Sequence, residues 1–269
     1  MPEQRRIADI LDRADGVRRK RKEAIALTEE LLRSAFLEMF GDPVTNPKGW
    51  PVRRFVDVLT MPLRNGLSPS TAGNHAAKVL TLSAITRGAW DAAAVKDGAF
   101  AVEPWTDVRL DSRDLLICRG NGNAALVGTA AFPSRSDPTV VFPDTMIAAR
   151  VDPALLNNDF LTHLWRTPLV RRQIEASART TNGTFKVNQT AVENVAVVVP
   201  PMAKQQAFGA FAAKVQRLRE RFGDPAHDAL FDALVQSAFR GELSSRREPG
   251  ATRASGARRA TSETPPPSP

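Results

Sequence analysis

The stretch that decides the fold class is Asp114-Leu115-Leu116-Ile117-Cys118-Arg119, followed at once by Gly120-Asn121-Gly122-Asn123. A short apolar run bounded by turn residues reads as a strand buried on both faces. The Asn-Gly step is a hairpin signal, so Ala125-Leu126-Val127-Gly128-Thr129-Ala130 is expected to be the returning strand. Asp111 and Asp114, at the head of the run, read as a solvated turn. The surrounding region, Val44 to Pro200, mixes short apolar runs with Pro, Gly, Asn and Thr, a pattern of strands and turns. Within it, Phe160 to Ser177 reads as one amphipathic helix with Leu161, Leu164, Trp165 and Leu169 on its apolar face. Thr190-Ala191-Val192-Glu193 fits a capping box opening a short helix. Val195 to Val199 is a strand ended by Pro200.

Moving outward, both flanks are helical. Pro2 to Phe40 is made almost wholly of good helix formers, with apolar residues such as Ile7, Leu11, Ile25, Leu32 and Met39 at helical steps, and it stops at Gly41-Asp42-Pro43. A continuous helix of that length is about 58 Å long, more than a small globular domain needs, which marks it as a spacer. Met202 to Phe222 is a second helix. Gly223-Asp224-Pro225 then supplies a stop, a cap and a first-turn proline for a third helix carrying Leu230, Leu234 and Phe239. The flanks also resemble each other. Gln4 in Glu3-Gln4-Arg5 aligns with Gln205 in Lys204-Gln205-Gln206, and Ser34-Ala35-Phe36 recurs as Ser237-Ala238-Phe239. The predicted organisation is therefore a helical spacer (1–42), a mixed domain (43–200), a second helical spacer (201–243) and a Ser/Arg/Pro-rich tail (244–269) expected to be disordered.

Composition narrows the function. The chain has 269 residues and a net charge of +8. That excess falls on the mixed domain (+4) and the tail (+3), while residues 1–42 are neutral, an asymmetry that favours a polyanionic partner. One cysteine excludes a disulfide framework and a multi-cysteine zinc site, and three scattered histidines, His75, His163 and His227, do not form a metal cluster. Each histidine reads as a surface or half-buried residue, and Cys118 as inert core. No signal peptide or membrane-length apolar run is present, so the expected location is the cytoplasm.

No nucleotide-binding P-loop, zinc-protease, nucleophile-elbow or kinase motif occurs, and Gly120, Gly122 and Gly128 lack the spacing of a dinucleotide fingerprint. No catalytic or metal-binding constellation is predicted. What remains are polar loops suited to DNA. Arg119, Asn121 and Asn123 combine a guanidinium, which pairs bidentately with guanine, and amides, which pair with adenine, on a glycine-flanked tip. Arg179, Thr181, Asn182, Thr184 and Lys186 form a second loop whose hydroxyls and cations suit phosphates. Arg64 and Asn65, within Met61-Pro62-Leu63-Arg64-Asn65-Gly66, form a third. For each, an ordinary solvated turn is the competing reading.

Taken in order, Glu3-Gln4-Arg5-Arg6-Ile7-Ala8, Leu31-Leu32-Arg33-Ser34-Ala35-Phe36, Phe40-Gly41-Asp42, Gly49-Trp50-Pro51, Asp114-Leu115-Leu116-Ile117, Gly183-Thr184-Phe185-Lys186-Val187-Asn188-Gln189, Val197-Val198-Val199-Pro200-Pro201 and Ser237-Ala238-Phe239-Arg240-Gly241-Glu242-Leu243 resemble the specificity (S) subunit of type I restriction–modification enzymes. The resemblance spans residues 2–243. It implies an α+β fold in which one mixed α/β target-recognition domain is flanked by two long helical segments forming an antiparallel coiled coil. It also implies a non-catalytic subunit that binds a double-stranded DNA half-site and docks methyltransferase (M) and restriction (R) subunits. S-adenosylmethionine, ATP and Mg are then expected on those partners, and no cofactor on this chain. The family's usual order is recognition domain, helix, recognition domain, helix. Here the order is helix, one domain, helix, so the expectation is a half-subunit or the product of a truncated or split gene, with a homodimer through the helices as one way to rebuild a bipartite reader. Two other classes stand against it: a coiled-coil interaction fragment without DNA readout, and a nuclease with an unrecognised active site.

Overall fold

The computed structural model describes residues 2–181, 183–222 and 225–240. The predicted disorder of the tail and the motif residues Gly241-Glu242-Leu243 lie outside the described residues, as does the turn at Gly223-Asp224. Contacts divide the chain into two units, Glu23–Gly223 and a smaller one made by Met1–Lys22 with Asp224–Pro269.

The expected long helix is one continuous element, α1 (Pro2–Phe40). It stops because Gly41 takes a left-handed conformation, φ +78°, and donates its N–H to the Leu37 carbonyl at 2.8 Å. Other last-turn carbonyls are capped from downstream: Trp50 Nε1 donates to Phe40 O at 2.8 Å and Lys48 Nζ to Met39 O at 3.1 Å.

In the larger unit the chain then passes through β1 (Val52–Arg54), β2 (Arg64–Asn65), β3 (His75–Leu80), α2 (Ser83–Thr86), β4 (Val95–Phe100), β5 (Arg109–Leu110), β6 (Asp114–Cys118), β7 (Gly120–Asn121), β8 (Ala130–Ala131), β9 (Asp137–Val141) and β10 (Met146–Arg150). It continues with α3 (Asn158–Trp165), α4 (Pro168–Ser177), β11 (Arg179–Thr181), β12 (Thr184–Lys186), α5 (Gln189–Glu193), β13 (Ala196–Val198) and α6 (Met202–Phe222); α7 (Pro225–Phe239) belongs to the smaller unit. Four small sheets result, ordered β2-β10-β6-β8, β4-β3-β9-β5, β11-β12-β7 and β1-β13.

Strand β6 separates two cores. Leu115 and Ile117 join one hydrophobic cluster, while Leu116 and Cys118 join the other, following the period of two that any strand imposes. Its partner β10 divides likewise, Ile147 and Ala149 to one side and Met146 and Ala148 to the other. One face of this sheet packs on the helices. There Phe36 and Phe40 of α1, Phe160 of α3 and Phe208 of α6 form an aromatic knot with ring centroids 4.8–5.7 Å apart. Such pairs add about 0.5–1.5 kcal/mol each beyond the area they bury. The other face packs on the sheet containing Val79, Phe100 and Val141. Within this unit α1 and α6 run antiparallel: Phe40 meets Phe208, and Glu29 pairs with Arg219 at 2.8 Å. Within the smaller unit the Arg18 guanidinium lies 4.4 Å from the Phe231 ring centroid.

Several expectations are corrected. The Asn-Gly step does not close a hairpin. After β6 the chain leaves for another sheet as β7, forms a 3-10 turn at Ala124–Leu126, and rejoins β6 at Gly128, whose N–H donates to Cys118 O at 2.8 Å, continuing to Ala130 and Ala131. The single helix expected over Phe160–Ser177 is two, because Pro168 lacks the N–H that a continuous helix needs and holds Thr167 extended (ψ 158°). The capping side chain of α5 is Asn188, whose Oδ1 accepts from Ala191 N at 2.8 Å, and not Thr190. Asp114 is not in a solvated turn. It is buried at the start of β6, with its carboxylate accepting from Arg150 Nε at 2.8 Å.

Candidate nucleic-acid interface

The two loops singled out in the sequence are parts of one structure. Strand β12 pairs with β11 on one side and β7 on the other, in registers Arg179↔Lys186 and Lys186↔Gly120. Residues 119–121 and 179–186, about sixty positions apart, therefore build a single three-stranded sheet. The junction with the core is rigid. Arg119 N donates to Thr145 O at 2.8 Å, and Arg119 O accepts from Val187 N at 2.9 Å. A Cβ at Gly120 would lie 3.1 Å from Lys186 Cγ, which that side chain could relieve by a few tenths of an ångström, and 3.5 Å from Phe185 O.

Beside this sheet is a groove of about 580 Å³ lined by Arg119, Arg179 and Lys186, with Ser177, Asn188, Thr190 and Asn194 as its neutral polar groups. No carboxylate lines it among the described residues. The Arg119 side chain is half-buried and donates from Nη1 to Asp144 O at 3.1 Å. Arg179 and Lys186 are exposed and directly opposed across the strand pair.

The other predicted residues are distributed as follows. Asn121 and Asn123 lie at the edge of the small sheet with both side-chain oxygens used locally: Asn121 Oδ1 accepts from Asn123 N at 2.9 Å and Asn123 Oδ1 from Ala125 N at 3.0 Å. The Asn121 side chain also bonds the Cys118 thiol, while the Asn123 amide donor has no protein acceptor among the described residues. Thr184 is half-buried in β12; Thr181 ends β11, but its side chain and all of Asn182 lie outside the described residues. Asn65 is exposed on β2, whose neighbour Leu63 is tied to the groove's border by Gln189 Nε2 donating to Leu63 O at 2.9 Å. Arg64 is a correction. Its Nη2 lies 2.6 Å from Asp114 Oδ1 without the alignment of a hydrogen bond, and Nη1 donates to Asp107 O at 3.0 Å, so it is spent on the core ion-pair cluster and is not presented to a ligand. Ser177, Asn188, Thr190 and Asn194 are additions. The signal for three of them was the polar density of Asn188 to Asn194, immediately after Lys186-Val187.

Other chemistry is quiet. Burial pushes the Cys118 thiol up to about 11 and, with Arg166 adding to it, brings His163 down to about 4. The Arg113 hydrogen bond, reinforced by Arg150, holds Asp111 well below the usual carboxylate range. Among the described residues no group of three or more His, Cys, Asp or Glu is placed to hold a metal, and no helix is long and apolar enough to cross a membrane.

A long helix leading into a mixed α/β domain, a second helix packed antiparallel on the first, and a small cationic sheet beside the domain's core define an α+β module; this fold is also that of S subunits of type I restriction–modification systems. In sequence the chain is similar to the type I restriction enzyme StySPI specificity subunit of Salmonella potsdam, with 27% identity over 140 residues, covering 50% of this chain and 30% of that protein. In structure it is similar to the HsdS subunit of Thermoanaerobacter tengcongensis (TM-score 0.50, 20% identity, 90% of this chain and 59% of that one). A type I R-M system solved to explain complex assembly and conformational transition aligns with TM-score 0.56 and 22% identity, over 90% of this chain and 60% of its own. The S subunit of M. genitalium aligns with TM-score 0.53 and 13% identity, over 88% and 61%. The chain thus spans under a third of the curated relative and about three-fifths of the solved ones. No protein-family model matches it.

Proposed function

We propose that this chain is the DNA-recognition subunit of a type I restriction–modification complex. It reads a half-site of double-stranded DNA and docks methyltransferase and restriction subunits. The chain itself catalyses nothing, and S-adenosylmethionine, ATP and Mg bind those partners. The observation that carries the reading is the convergence of Arg119, Arg179 and Lys186 on one groove without a carboxylate among the described residues, in a domain whose fold is that of S subunits. Catalysis needs a nucleophile or an acid–base pair within reach of a substrate. The one thiol is buried and pushed up, and the carboxylates of Asp111 and Asp114 are engaged by arginines.

Two copies would supply the two half-sites of a bipartite target. The repeated helical element supports a twofold arrangement, the commonest closed assembly. α1, about 58 Å long at 1.5 Å per residue, exceeds one ~34 Å turn of duplex DNA, so a palindrome with a fixed gap is the expected target.

The test is to purify the chain with its neighbouring methyltransferase subunit, map methylated bases on genomic DNA, and weigh the complex by light scattering. Sequence-specific methylation that requires this chain, at a gapped palindrome and with two copies per complex, is the expected result. One copy per complex, or a non-palindromic site, removes the dimer alone. Absence of DNA binding removes the whole reading, and metal-dependent cleavage by the isolated chain replaces it with a nuclease.

A further inference from the structure

Resting on that reading, we propose a division of labour within the interface: the groove at Arg119 is a clamp for a DNA phosphodiester, and bases are read by the Gly122-Asn123 turn beside it. This reassigns Arg119, whose residue type alone suggested a guanine contact.

Three observations point the same way. First, Arg179 and Lys186 are directly opposed across an antiparallel pair, where Cβ atoms stand about 4.5–5.5 Å apart and like charges repel. Neither has a protein counter-ion among the described residues, so an anion between them relieves a repulsion that the chain itself leaves standing. Second, the groove adds a third cation, Arg119, together with Ser177, Asn188, Thr190 and Asn194 and no carboxylate. That is the donor mixture used for backbone oxygens, and the opposite of a site built to accept from the amino groups of adenine or cytosine.

Third, shape decides between phosphate and base. Base edges lie at the bottom of a major groove about 8.5 Å deep, so a residue that reads them must protrude. Arg119 does the reverse. Its backbone is pinned on both sides, its Nη1 is committed to Asp144 O, and its side chain is half-buried along a concavity. A phosphate ridge is convex and fits a recess. The exposed turn positions beside the groove are Gly122 and Asn123. Asn123, with an amide donor that has no protein partner among the described residues, is the nearest side chain of a type that discriminates bases.

The test uses the full chain in complex with its methyltransferase subunit. Affinity is measured for a short duplex of arbitrary sequence across a salt series, and methylated sites are mapped for each variant. Arg179→Ala and Lys186→Ala should each lower the slope of log affinity against log salt by about one unit while leaving the methylated sequence unchanged. Arg119→Lys keeps the charge but loses the planar fork, so a phosphate contact predicts retained slope and retained site choice. Asn123→Ala should leave the slope intact and relax choice at one position. Altered site choice in Arg119→Lys with an unchanged slope would overturn the assignment, as would unchanged slopes in both alanine variants. Displacement of the duplex by inorganic phosphate at constant ionic strength, lost in Arg179→Ala, would give the groove to a free phosphate compound and also overturn it. A wild-type complex that binds no DNA would overturn the underlying reading instead. The lysine variant serves where Arg119→Ala unfolds the junction.

Discussion

Removing the Asp114 carboxylate should destabilise the central sheet of the mixed domain. Asp114 opens β6, its side chain is 1% exposed, and it accepts from Arg150 Nε at 2.8 Å and Nη2 at 3.0 Å, with Arg64 Nη2 a further 2.6 Å contact. The two arginines are themselves 12% and 21% exposed. At an effective dielectric constant of about 20, each contact is worth roughly 4 kcal/mol of Coulomb energy, offset by several kcal/mol of desolvation per ion. The net value of the pair is therefore small, but breaking it is not, because two guanidinium groups then stay buried against one remaining carboxylate. Truncating one partner of a buried pair costs about 3–5 kcal/mol. Arg150 keeps Asp111 at 2.8 Å, which places Asp114→Ala near the lower end, about 3 kcal/mol. Asp114→Asn, with an acceptor but no charge, should fall between. Urea denaturation followed by tryptophan fluorescence measures both, with buried Trp165 as reporter. A loss under about 1 kcal/mol for Asp114→Ala would refute the argument, since it would mean that water reaches the arginines once the carboxylate is gone.

Gly128→Ala should cost about 2–4 kcal/mol: φ is +75°, and the added Cβ would stand 2.4 Å from Ile174 Cγ2 beside the Trp165 Nε1 to Gly128 O hydrogen bond, so a lowered melting temperature and a changed near-UV tryptophan signal are expected. His163, brought down to about 4 by burial from its ordinary 6.5, binds its proton more readily in the unfolded chain. Stability should thus rise with pH between about 4 and 6.5 and be level above it, and His163→Gln should flatten that dependence in urea midpoints taken at both ends.

The helices were legible because propensity and stop signals agree: α1 and α6 begin and end where the composition places them, and Pro168 and the Asn188 cap are the local features whose weight was underestimated. The existence of β6 was legible from an apolar run that needs burial on both faces. Its return partner was legible only in part, since Gly128 to Ala130 do come back antiparallel onto β6, whereas β10 was not. An Asn-Gly step signals a hairpin only if the next residues stay in register with the first strand, and here Val187 competes for Arg119 and draws the chain into a different sheet. The cationic groove is a product of that long-range pairing. Its residue types stood out in the sequence, but nothing local said that residues near 120 and 185 meet. The Asp114 cluster was misread for the same reason, since Arg64 and Arg150 reach it from distant strands.

The way the small sheet joins the domain has an evolutionary consequence. It meets the core at Arg119 and Val187 and contributes Phe185 to the hydrophobic cluster, while Thr180, Gly183 and Lys186 stay outside it. Exposed substitutions away from special features change stability by about half a kcal/mol or less. A lineage can therefore vary the exposed positions of this sheet while the folding free energy stays nearly constant. On the proposed function, target choice would be free to drift on an unchanged scaffold, and a new specificity would need no compensating change in the core.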